Sequence, residues 1–556
     1  MRQHLADVRK IADSSEPATF DNTIVAMERS GETLTRVSRI FFGLVQADTN
    51  DARQKIQEEV APKLAAHQDE INLDPKLFAR VKSIYDQRDT LELDPVQKRL
   101  VEHYYDGLVR AGAQLSDADK ASLRKLNVEE NPRRAWRCQR HPADRAAPGP
   151  AACAEGQAAW LRHLRRLPAG RPDGQDPGCR AEAADRHRAG RYRQGARRSR
   201  RDPEGDRRAE GRLPGRRLGL GFYAEQVRKA KYDLDESQIK PYFELDNVLQ
   251  NGVFYAATQL YGITFKPRTD IPTYNPDMKV YEVFDKDGTS LALFYTDYFK
   301  RDSKSGGAWM DVFVEQDGLT GAKPVVYNVC NFTKPAAGQP ALISFDDVTT
   351  MFHEFGHALH GMFSNVKYPS IAGTATSRDF VEFPSQFNEH WALDPKVFAN
   401  YAKHYKTGEA MPQELVDKIL KARSFNQGYA TTEYLSAALL DLAWHTQKAD
   451  APLQDVGAFE ASALKKFKVD LPQVPPRYRT TYFDHIWGGG YSAGYYAYFW
   501  AEVLDHDAYQ WFTEHGGLTA ANGQEFRDKI LSRGNSVELS TLYRDSAART
   551  RRWNRC

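Results

Sequence analysis

The amino-acid sequence predicts a mainly helical protein with two or more lobes and one short strand-rich region. The chain has 556 residues, which is more than one compact core usually holds. Apolar residues recur at spacings of three and four over residues 1–131 and again from Ser344 onward, as on the buried faces of helices. Short strand patterns cluster between residues 280 and 329.

Residues 1–131 are predicted to form an N-terminal helical region. Six apolar positions in its first part show the helical spacing: Ile24, Met27, Leu34, Val37, Ile40 and Phe41. The first five residues run directly into a charged amphipathic pattern, which is not that of a signal peptide. We therefore expect a cytoplasmic protein, or a periplasmic one if an upstream signal segment is missing.

Composition and charge exclude several classes of protein. The net charge of +3 is small for this length and provides no overall attraction to nucleic acid or to an anionic membrane. No apolar run approaches the roughly 18 residues of a membrane-spanning helix. Five cysteines do not make a disulfide framework, which indicates a reducing compartment. We expect a monomer with no nucleic-acid or membrane partner.

Residues 132–221 have a composition unlike the rest of the chain. They contain no Ile, Val, Phe, Met, Lys or Thr and consist largely of Arg, Ala, Gly, Pro and Asp. Because such a segment lacks the residues that build cores, it is predicted to be disordered. An Arg-rich nucleic-acid-binding arm and a natural disordered insert are two interpretations. We favour a third interpretation, a frame-shifted translation of a GC-rich gene, because the amino-acid composition changes abruptly at both ends of the segment. Residues 545–556 form a similar Arg-rich tail.

Residues 222–544 return to ordinary composition, and the strand patterns lie in their first half. Val280–Phe284 and Leu291–Tyr295 flank the turn Asp285–Gly288, which is typical of a β-hairpin. Two further short strands are predicted at Met310–Val314 and Val325–Val329. The remainder, from Ser344 onward, is predicted to be almost wholly helical.

The first helix of this last part carries a metal-binding motif. Ser344 and Asp347 have the spacing of a capping box, with Asp where Glu or Gln is usual, and mark a helix start. His353 and His357 are four residues apart, so one helical turn places them on one face, where two imidazoles can bind one Zn²⁺. Glu354 beside them can act as a general base. The chain has only 15 histidines, so this pattern seldom arises by chance.

A third protein ligand must complete such a site. The zincin class with a third histidine six residues after the second is excluded, because that position holds Phe363. His360 is expected on the helix surface or beside the ligands. The remaining candidates follow on a new helical pattern: Asp379, Glu382, Glu389, His390 and Asp394. Glu382 and Glu389 are seven apart and share a face, so that one can ligate while the other supports the site; spacing favours Glu382 as the ligand.

A cluster of glycines and tyrosines lies further along the chain, from His485 to Tyr498. Three consecutive glycines permit unusual backbone angles and close approach of a substrate. Tyr491, Tyr495 and Tyr498 have spacings of four and three, which predict one shared helical face. Their hydroxyls and the His485 imidazole suit stabilisation of an oxyanion. An aromatic packing stripe beside a glycine hinge is the alternative interpretation.

These three groups of residues together resemble the thimet oligopeptidase family of zinc peptidases. The runs are Phe352–His360, Arg378–Gln386 and the cluster from His485 to Tyr498, and they agree with the family in order and spacing. Glu389-His390-Trp391 and the triple glycine look most like the bacterial dipeptidyl carboxypeptidase (peptidyl-dipeptidase) branch. The resemblance covers roughly residues 1–130 and 222–544. It implies a two-lobed helical shell around a deep channel, with a small β-sheet beside the zinc site.

The resemblance also implies the site residues and the reaction. His353, His357 and Glu382 would hold one Zn²⁺ per chain, and Glu354 would be the general base. His485, Tyr491 and Tyr498 would contact the substrate and the transition state. Residues 222–544 would then be the catalytic region of a zinc metallopeptidase that releases dipeptides from the free C-terminus of short unfolded peptides. An oligopeptidase that cleaves short peptides internally is the alternative.

Two further expectations concern how a peptide is bound. The run from Pro324 to Phe332 is expected to be an edge strand that pairs with the peptide backbone. Release of dipeptides requires recognition of a carboxylate two residues beyond the scissile bond, and a bidentate arginine is the best chemical match. The candidates are Arg378, Arg477 and Arg479, with the tyrosine hydroxyls as an alternative.

Overall fold

A computed structural model describes residues 1–137, 217–448, 451–452 and 454–547 of the chain. The chain divides into two compact units. The first contains residues 1–144, 243–405 and 498–556, and the second contains residues 145–242 and 406–497. The predicted disordered segment, residues 132–221, lies outside the described residues except for its two ends, and so does most of the Arg-rich tail.

The first unit is built mainly of helices, whose starts are encoded locally. Asp94 illustrates this: its side chain accepts the N–H of Gln97, whose own side chain accepts the N–H of Asp94, while Pro95 occupies the first helical position. The α-helices of this unit are Arg2–Ala12, Ala26–Glu28, Glu32–Ala47, Asp51–Asn72, Pro75–Gln87, Pro95–Ala111, Asp117–Arg137, Leu245–Val248, Tyr255–Tyr261, Phe345–Met362, Arg378–Glu389, Pro395–Tyr401, Ala497–Glu514, Ala520–Phe526 and Leu539–Ala547. Shorter π and 3₁₀ segments are Phe20–Val25, Leu249–Phe254, Arg527–Leu531, Pro369–Ile371 and His390–Leu393.

Helical spacing near the N-terminus predicts the helices but not which face is buried. Ile24 is fully buried, together with Leu77, Val81 and Leu100 in one core cluster. Val37, by contrast, is 59% exposed although it belongs to the same apolar pattern. Gly31, with φ of 73°, ends the first part of that pattern, so the two parts lie on separate helices with independent orientations.

A five-stranded mixed sheet in the first unit confirms the predicted strand-rich region. Its strands are β1 (Thr264–Pro267), β2 (Lys279–Phe284), β3 (Ser290–Phe299), β4 (Trp309–Val314) and β5 (Val325–Phe332), in the order β1-β2-β3-β5-β4. The predicted hairpin is confirmed, because β2 and β3 pair antiparallel across the Asp285–Gly288 turn. The expectation that β5 is an edge strand is wrong. β5 pairs with β3 on one side, in parallel, and with β4 on the other, so β4 and β1 are the edges.

The helix Phe345–Met362, called the motif helix below, packs against this sheet. The ring of Phe355 meets the ring of Phe294 on β3 edge-on, with centroids 5.3 Å apart. Near the helix end, a Cβ on Gly361 would lie 2.5 Å from the Cε of Met310 on β4, so the helix and this strand are in close contact and a larger residue would displace the methionine side chain. The sheet therefore supports one side of the motif helix and fixes its axis.

The second unit is also helical over its described residues. Its α-helices are Arg217–Tyr232, Glu236–Ile239, Gln413–Ala422, Gln427–His445, Val456–Lys466 and Asp484–Trp487, with 3₁₀ turns at Lys240–Tyr242 and Thr480–Tyr482. Leu440 and Trp444 of one helix pack with Ala463 and Phe459 of another. The predicted mainly α fold with a small sheet is thus confirmed. No helix in the described parts of either unit is long and apolar enough to cross a membrane.

Candidate metal centre and substrate loop

The motif helix begins where the capping pattern predicts. The Ser344 hydroxyl accepts the N–H of Asp347 at 3.1 Å, and the Asp347 carboxylate accepts the N–H of Ser344 at 3.0 Å. Phe352 and Phe355 on the following turns are fully buried, whereas His353 and His357 are partly exposed. The apolar face therefore sets the rotation of the helix and leaves both imidazoles on its accessible side.

Three potential ligand atoms converge beside this helix. The rings of His353 and His357 have centroids 5.0 Å apart. Their Nε2 atoms lie 3.4 Å and 3.2 Å, respectively, from one carboxylate oxygen of Glu382. Two ligand atoms on a tetrahedral zinc at 2.0–2.1 Å are separated by roughly 3.4 Å. The donor types and their spacing thus fit a single Zn²⁺ bound by these three residues.

Close contact between two helices brings Glu382 to the histidines. Glu382 lies on the helix Arg378–Glu389, which crosses the motif helix at Gly356. A Cβ on Gly356 would lie 2.6 Å from the carbonyl oxygen of Pro384 and 2.7 Å from the Cα of Ser385. Nearby, the Asn388 side-chain amide donates to the carbonyl of Phe352 at 2.7 Å. The glycine of the motif therefore permits a backbone approach that any side chain would prevent.

Replacing Gly356 with Ala is expected to disrupt the metal centre. The added methyl group meets backbone atoms, which cannot move aside as a flexible side chain can, so the two helices must separate. We expect a loss of stability of about 1–3 kcal/mol, as for overpacking, together with weaker zinc binding. Thermal unfolding and zinc titration measure the two effects. Gly107→Ala is the matched control, since Gly107 is also within a helix but has nothing within 4 Å of an added Cβ.

Polar neighbours hold the side chains of the candidate ligands in orientation. Nδ1 of His353 lies 2.7 Å from a carboxylate oxygen of Glu389. A proton on this nitrogen leaves Nε2, the atom next to Glu382, free to ligate a metal. The hydroxyl of Ser385 donates to the Glu382 carboxylate at 3.2 Å. Glu382 and Glu389, the two carboxylates seven residues apart, thus contact different nitrogens of the same imidazole.

Glu354 lies next to the candidate ligands, and one of its carboxylate oxygens makes no hydrogen bond among the described residues. The residue is 4% exposed, and its Oε2 atom has no partner among the described residues. Burial raises the pKa of Glu354, although His353 and His357 act in the opposite direction. Burial also acts to raise the pKa of Glu382, but the two histidines outweigh it and hold that pKa well below its usual range. The two buried carboxylates therefore differ in proton affinity because only Glu382 contacts both imidazoles directly.

The other ligand candidates occupy different positions. Asp394 caps the helix Pro395–Tyr401 by accepting the N–H of Lys396 at 2.9 Å. Asp379 accepts a hydrogen bond from the hydroxyl of Ser377 at 2.6 Å. Nε2 of His390 lies 3.0 Å from a carboxylate oxygen of Asp505, the spacing of a hydrogen bond. None of the three belongs to the group of donors around His353.

The expected surface position of His360 is wrong. This side chain is fully buried, and neither ring nitrogen has a hydrogen-bond partner among the described residues. Burial, and to a smaller extent His357, lowers the pKa of His360 to about 3, so the imidazole is neutral. The sequence did not reveal this burial, because other parts of the fold cover the motif helix on nearly all sides.

His485 lies in the short helix Asp484–Trp487 of the second unit, and Tyr491 lies in the loop that follows this helix. Their ring centroids are 5.7 Å apart. The prediction that Tyr491, Tyr495 and Tyr498 share one helical face is wrong, because the helix begins only at Ala497. Tyr498 is the second residue of that helix and belongs to the first unit.

A buried carboxylate organises this loop, and sequence patterns did not reveal it. Asp441 is fully buried, and its two oxygens accept the backbone N–H groups of Ala493 and Tyr495, both at 2.9 Å. Ala493 has a φ of 54°, a left-handed conformation that costs a non-glycine residue energy. The contacts from Asp441 offset this cost and break the helical path that the tyrosine spacing predicts. The signal available in the sequence was an acidic residue within the apolar run from Ala437 to Trp444 of the helix Gln427–His445.

Comparisons with known proteins agree with this geometry. Residues 219–553 match Peptidase family M3. The dipeptidyl carboxypeptidase of Escherichia coli strain K12 is 44% identical over 627 aligned residues, covering 98% of this chain and 92% of that protein. Oligopeptidase A of the same organism is 39% identical over 331 residues, covering 58% of this chain and 48% of that protein. The solved structure of a Pyrococcus furiosus carboxypeptidase has a similar fold, with a TM-score of 0.53 at 13% identity, and covers 99% of this chain and 95% of its own.

The family resemblance carried by the three sequence motifs is thereby confirmed. The family match includes the motif helix, the Glu382 helix and the loop from His485 to Tyr498, and the E. coli relative extends the similarity to nearly the whole chain. This chain belongs to Peptidase family M3, and it is a metallopeptidase.

Proposed function

We propose that this peptide hydrolase is zinc-dependent and releases dipeptides from the free C-terminus of short peptides. One observation carries the proposal of a zinc-dependent reaction: His353, His357 and Glu382 present three donor atoms with the spacing of a tetrahedral ion, beside the buried carboxylate of Glu354. The similarity to a dipeptidyl carboxypeptidase over nearly the full chain supports the mode of cleavage.

We further propose that the protein is a monomer, which light scattering of the purified chain tests.

The residues fit one ion per chain. His353 is oriented by Glu389, so that the nitrogen facing Glu382 is the one available to ligate. When bound, zinc supplies a Lewis acid that polarises a carbonyl oxygen and lowers the pKa of water. Glu382 contributes one negative charge and the two neutral imidazoles contribute none. A Zn²⁺ ion held by these three residues would therefore keep a net positive charge, as a Lewis acid requires.

The remaining steps belong to side chains of this chain. Glu354 accepts a proton from the attacking water and passes it to the nitrogen of the leaving amine. Its Oε2 atom is suited to this because no hydrogen bond within the described residues occupies it. His485, Tyr491 and Tyr498 donate hydrogen bonds to the substrate and to the oxyanion that develops on the scissile carbonyl. Their assignment is supported by the family motif rather than by distances.

A sheet edge offers a place for the peptide backbone. We propose that β4 takes the role first expected of β5, because β5 is its partner on one side only. β4 also packs against the motif helix through Met310, so a peptide extended along it would run close to the helix that carries the histidines. Backbone pairing binds peptides of many sequences, since it uses N–H and C=O groups that every residue has.

The mode of cleavage is tested with one peptide in two forms, one with a free C-terminus and one amidated. We expect stepwise loss of two residues from the free form only, detected by mass spectrometry, because the amide lacks the charge to be recognised. Equal internal cleavage of both forms would instead identify an oligopeptidase. That alternative has support from the similarity to oligopeptidase A over 58% of the chain.

A further inference from the structure

A second group of potential metal ligands lies in the first unit and shares no residue with the candidate metal centre. It consists of His390, Asp505 and His506, whose ligand atoms all lie within 4.8 Å of one another. His390 begins the 3₁₀ turn His390–Leu393, and the other two are consecutive residues of the helix Ala497–Glu514. All three belong to the first unit. Two imidazoles and one carboxylate are also the donors of the candidate metal centre.

One oxygen of Asp505 meets a nitrogen of each imidazole. Its Oδ1 atom lies 3.0 Å from Nε2 of His390 and 2.6 Å from Nδ1 of His506. The two rings have centroids 5.0 Å apart and an interplanar angle of 84°, the same values as for His353 and His357. The three ligand atoms therefore already converge, as the binding of one ion by all of them requires.

The carboxylate of Asp505 is a buried negative charge that needs a cation beside it. The residue is 3% exposed, and its ion-pair partners within the described part of the chain are the two histidines rather than a lysine or an arginine. The hydrogen bond to Asp505, with a smaller effect of Glu502, raises the pKa of His506 to about 9. A proton on this imidazole can thus supply the positive charge, and a divalent metal ion is the other group that can.

The site can be entered from the side of His506. This side chain is 59% exposed, whereas the side chains of His390 and Asp505 are almost fully covered. The ring of His390 stacks on that of Tyr509, with centroids 4.2 Å apart, which fixes its orientation. Nδ1 of His506 also lies 2.8 Å from the carbonyl oxygen of Glu502, so an ion must displace the proton that these acceptors hold. Two donors are therefore held in place, and the third is accessible from solvent.

We propose that His390, Asp505 and His506 form a second, weaker binding site for a divalent transition-metal ion such as Zn²⁺. Imidazole and carboxylate ligands together suit zinc and its neighbours in the first transition series. On binding, the ion takes the place of the proton on Nδ1 of His506, and that proton passes to the solvent. Solvent exposure and the loss of this proton both weaken binding, so the site fills only when zinc is added. An ion there would connect the turn His390–Leu393 to the helix Ala497–Glu514.

Equilibrium dialysis of the purified protein against increasing free Zn²⁺ tests the proposal. We expect the unaltered chain to bind one ion tightly and a second at higher free zinc. In His506→Ala, the first ion should remain and the affinity for the second should fall at least ~10²-fold, because one of three protein donors is lost. His515→Ala is the matched control. Nδ1 of His515 also contacts the carbonyl oxygen four residues earlier, that of Trp511, but His515 does not belong to the group of donors.

Thermal unfolding provides an independent measurement. An ion that binds only the folded chain raises its Tm. Zinc beyond the first equivalent should therefore raise the Tm of the unaltered protein and of His515→Ala, but not that of His506→Ala. Asp505→Asn removes the charge and keeps the shape of the side chain, and it should also lose the second ion. This variant decides the question if His506→Ala does not fold.

Three results would overturn the proposal: a single ion at every concentration of zinc, a second ion that His506→Ala retains, or loss of the second ion from His515→Ala as well. The last would show that binding is not specific to these three residues. The inference does not depend on the proposed function, because the two groups of donors are separate. If the candidate metal centre held no zinc, the unaltered chain and His506→Ala would still differ by one ion.

Discussion

Replacing Glu354 with Gln is expected to leave the metal centre loaded while kcat falls at least ~10²-fold. Glutamine has the size of glutamate but cannot accept the proton of the attacking water. The substitution does not alter the three donor atoms, which belong to His353, His357 and Glu382. Steady-state hydrolysis of a free-ended peptide measures the first effect, and elemental analysis of the purified variant measures the second.

The control for this experiment is Glu28→Gln. Glu28 is a partly buried carboxylate of the first unit, where the hydroxyl of Tyr104 donates to it at 2.7 Å and the N–H of Ser370 at 3.2 Å. Its loss should lower stability without a comparable change in kcat. Near-normal turnover of the Glu354→Gln protein would contradict the role of Glu354 as general base. Loss of zinc from that variant would show instead that Glu354 supports the metal.

Replacing His353 with Ala is expected to abolish both zinc binding and activity. The unaltered chain should contain about one zinc, and the variant should lose most of it, because two protein donors do not form a stable structural or catalytic zinc site. The change also leaves Glu389 without the imidazole that it contacts at 2.7 Å, which frees a negative charge beside Glu382. Equilibrium dialysis against a zinc buffer measures the change in affinity.

A histidine outside the centre provides the comparison for this variant. His515 is exposed at the end of the helix Ala497–Glu514, and His515→Ala should bind one zinc as the unaltered chain does. Full zinc content and unchanged affinity in His353→Ala would refute the assignment of the ligands. Loss of zinc in both variants would indicate a general loss of folding, which thermal unfolding would detect.

Local features of this protein were readable from the sequence because each depends on a few neighbouring residues. The capping box at Ser344 predicts the start of the motif helix, since both of its hydrogen bonds join residues three apart. The Asp285–Gly288 turn predicts the hairpin of β2 and β3, because a short turn brings the two strands that it joins next to each other. The spacing of His353 and His357 places them on one helical face for the same reason. The family followed from such short motifs in the correct order.

Features that depend on distant residues were decided only by the tertiary structure. The internal position of β5 in the strand order depends on its pairing with both β3 and β4. The apolar pattern of a strand does not indicate which strands will be its neighbours. The exposure of Val37 depends on how its helix is oriented against other elements, whereas its apolar spacing is purely local. Asp441, which lies 52 residues before Ala493, sets the path of the loop that holds Tyr491 and Tyr495. Its carboxylate accepts backbone N–H groups that would otherwise form the hydrogen bonds of a helix.

The candidate site shows the same division. Sequence spacing alone placed Glu382 and Glu389 on one helical face and could not establish how each meets the histidines. Their placement depends on the crossing of two helices at Gly356, where backbone atoms of one approach the other more closely than any side chain would allow. That crossing puts Glu382 beside Nε2 of both histidines and Glu389 beside Nδ1 of His353. The sequence by itself identified which residues are candidates for the site, and the packing of the two helices decided which atoms of those residues meet.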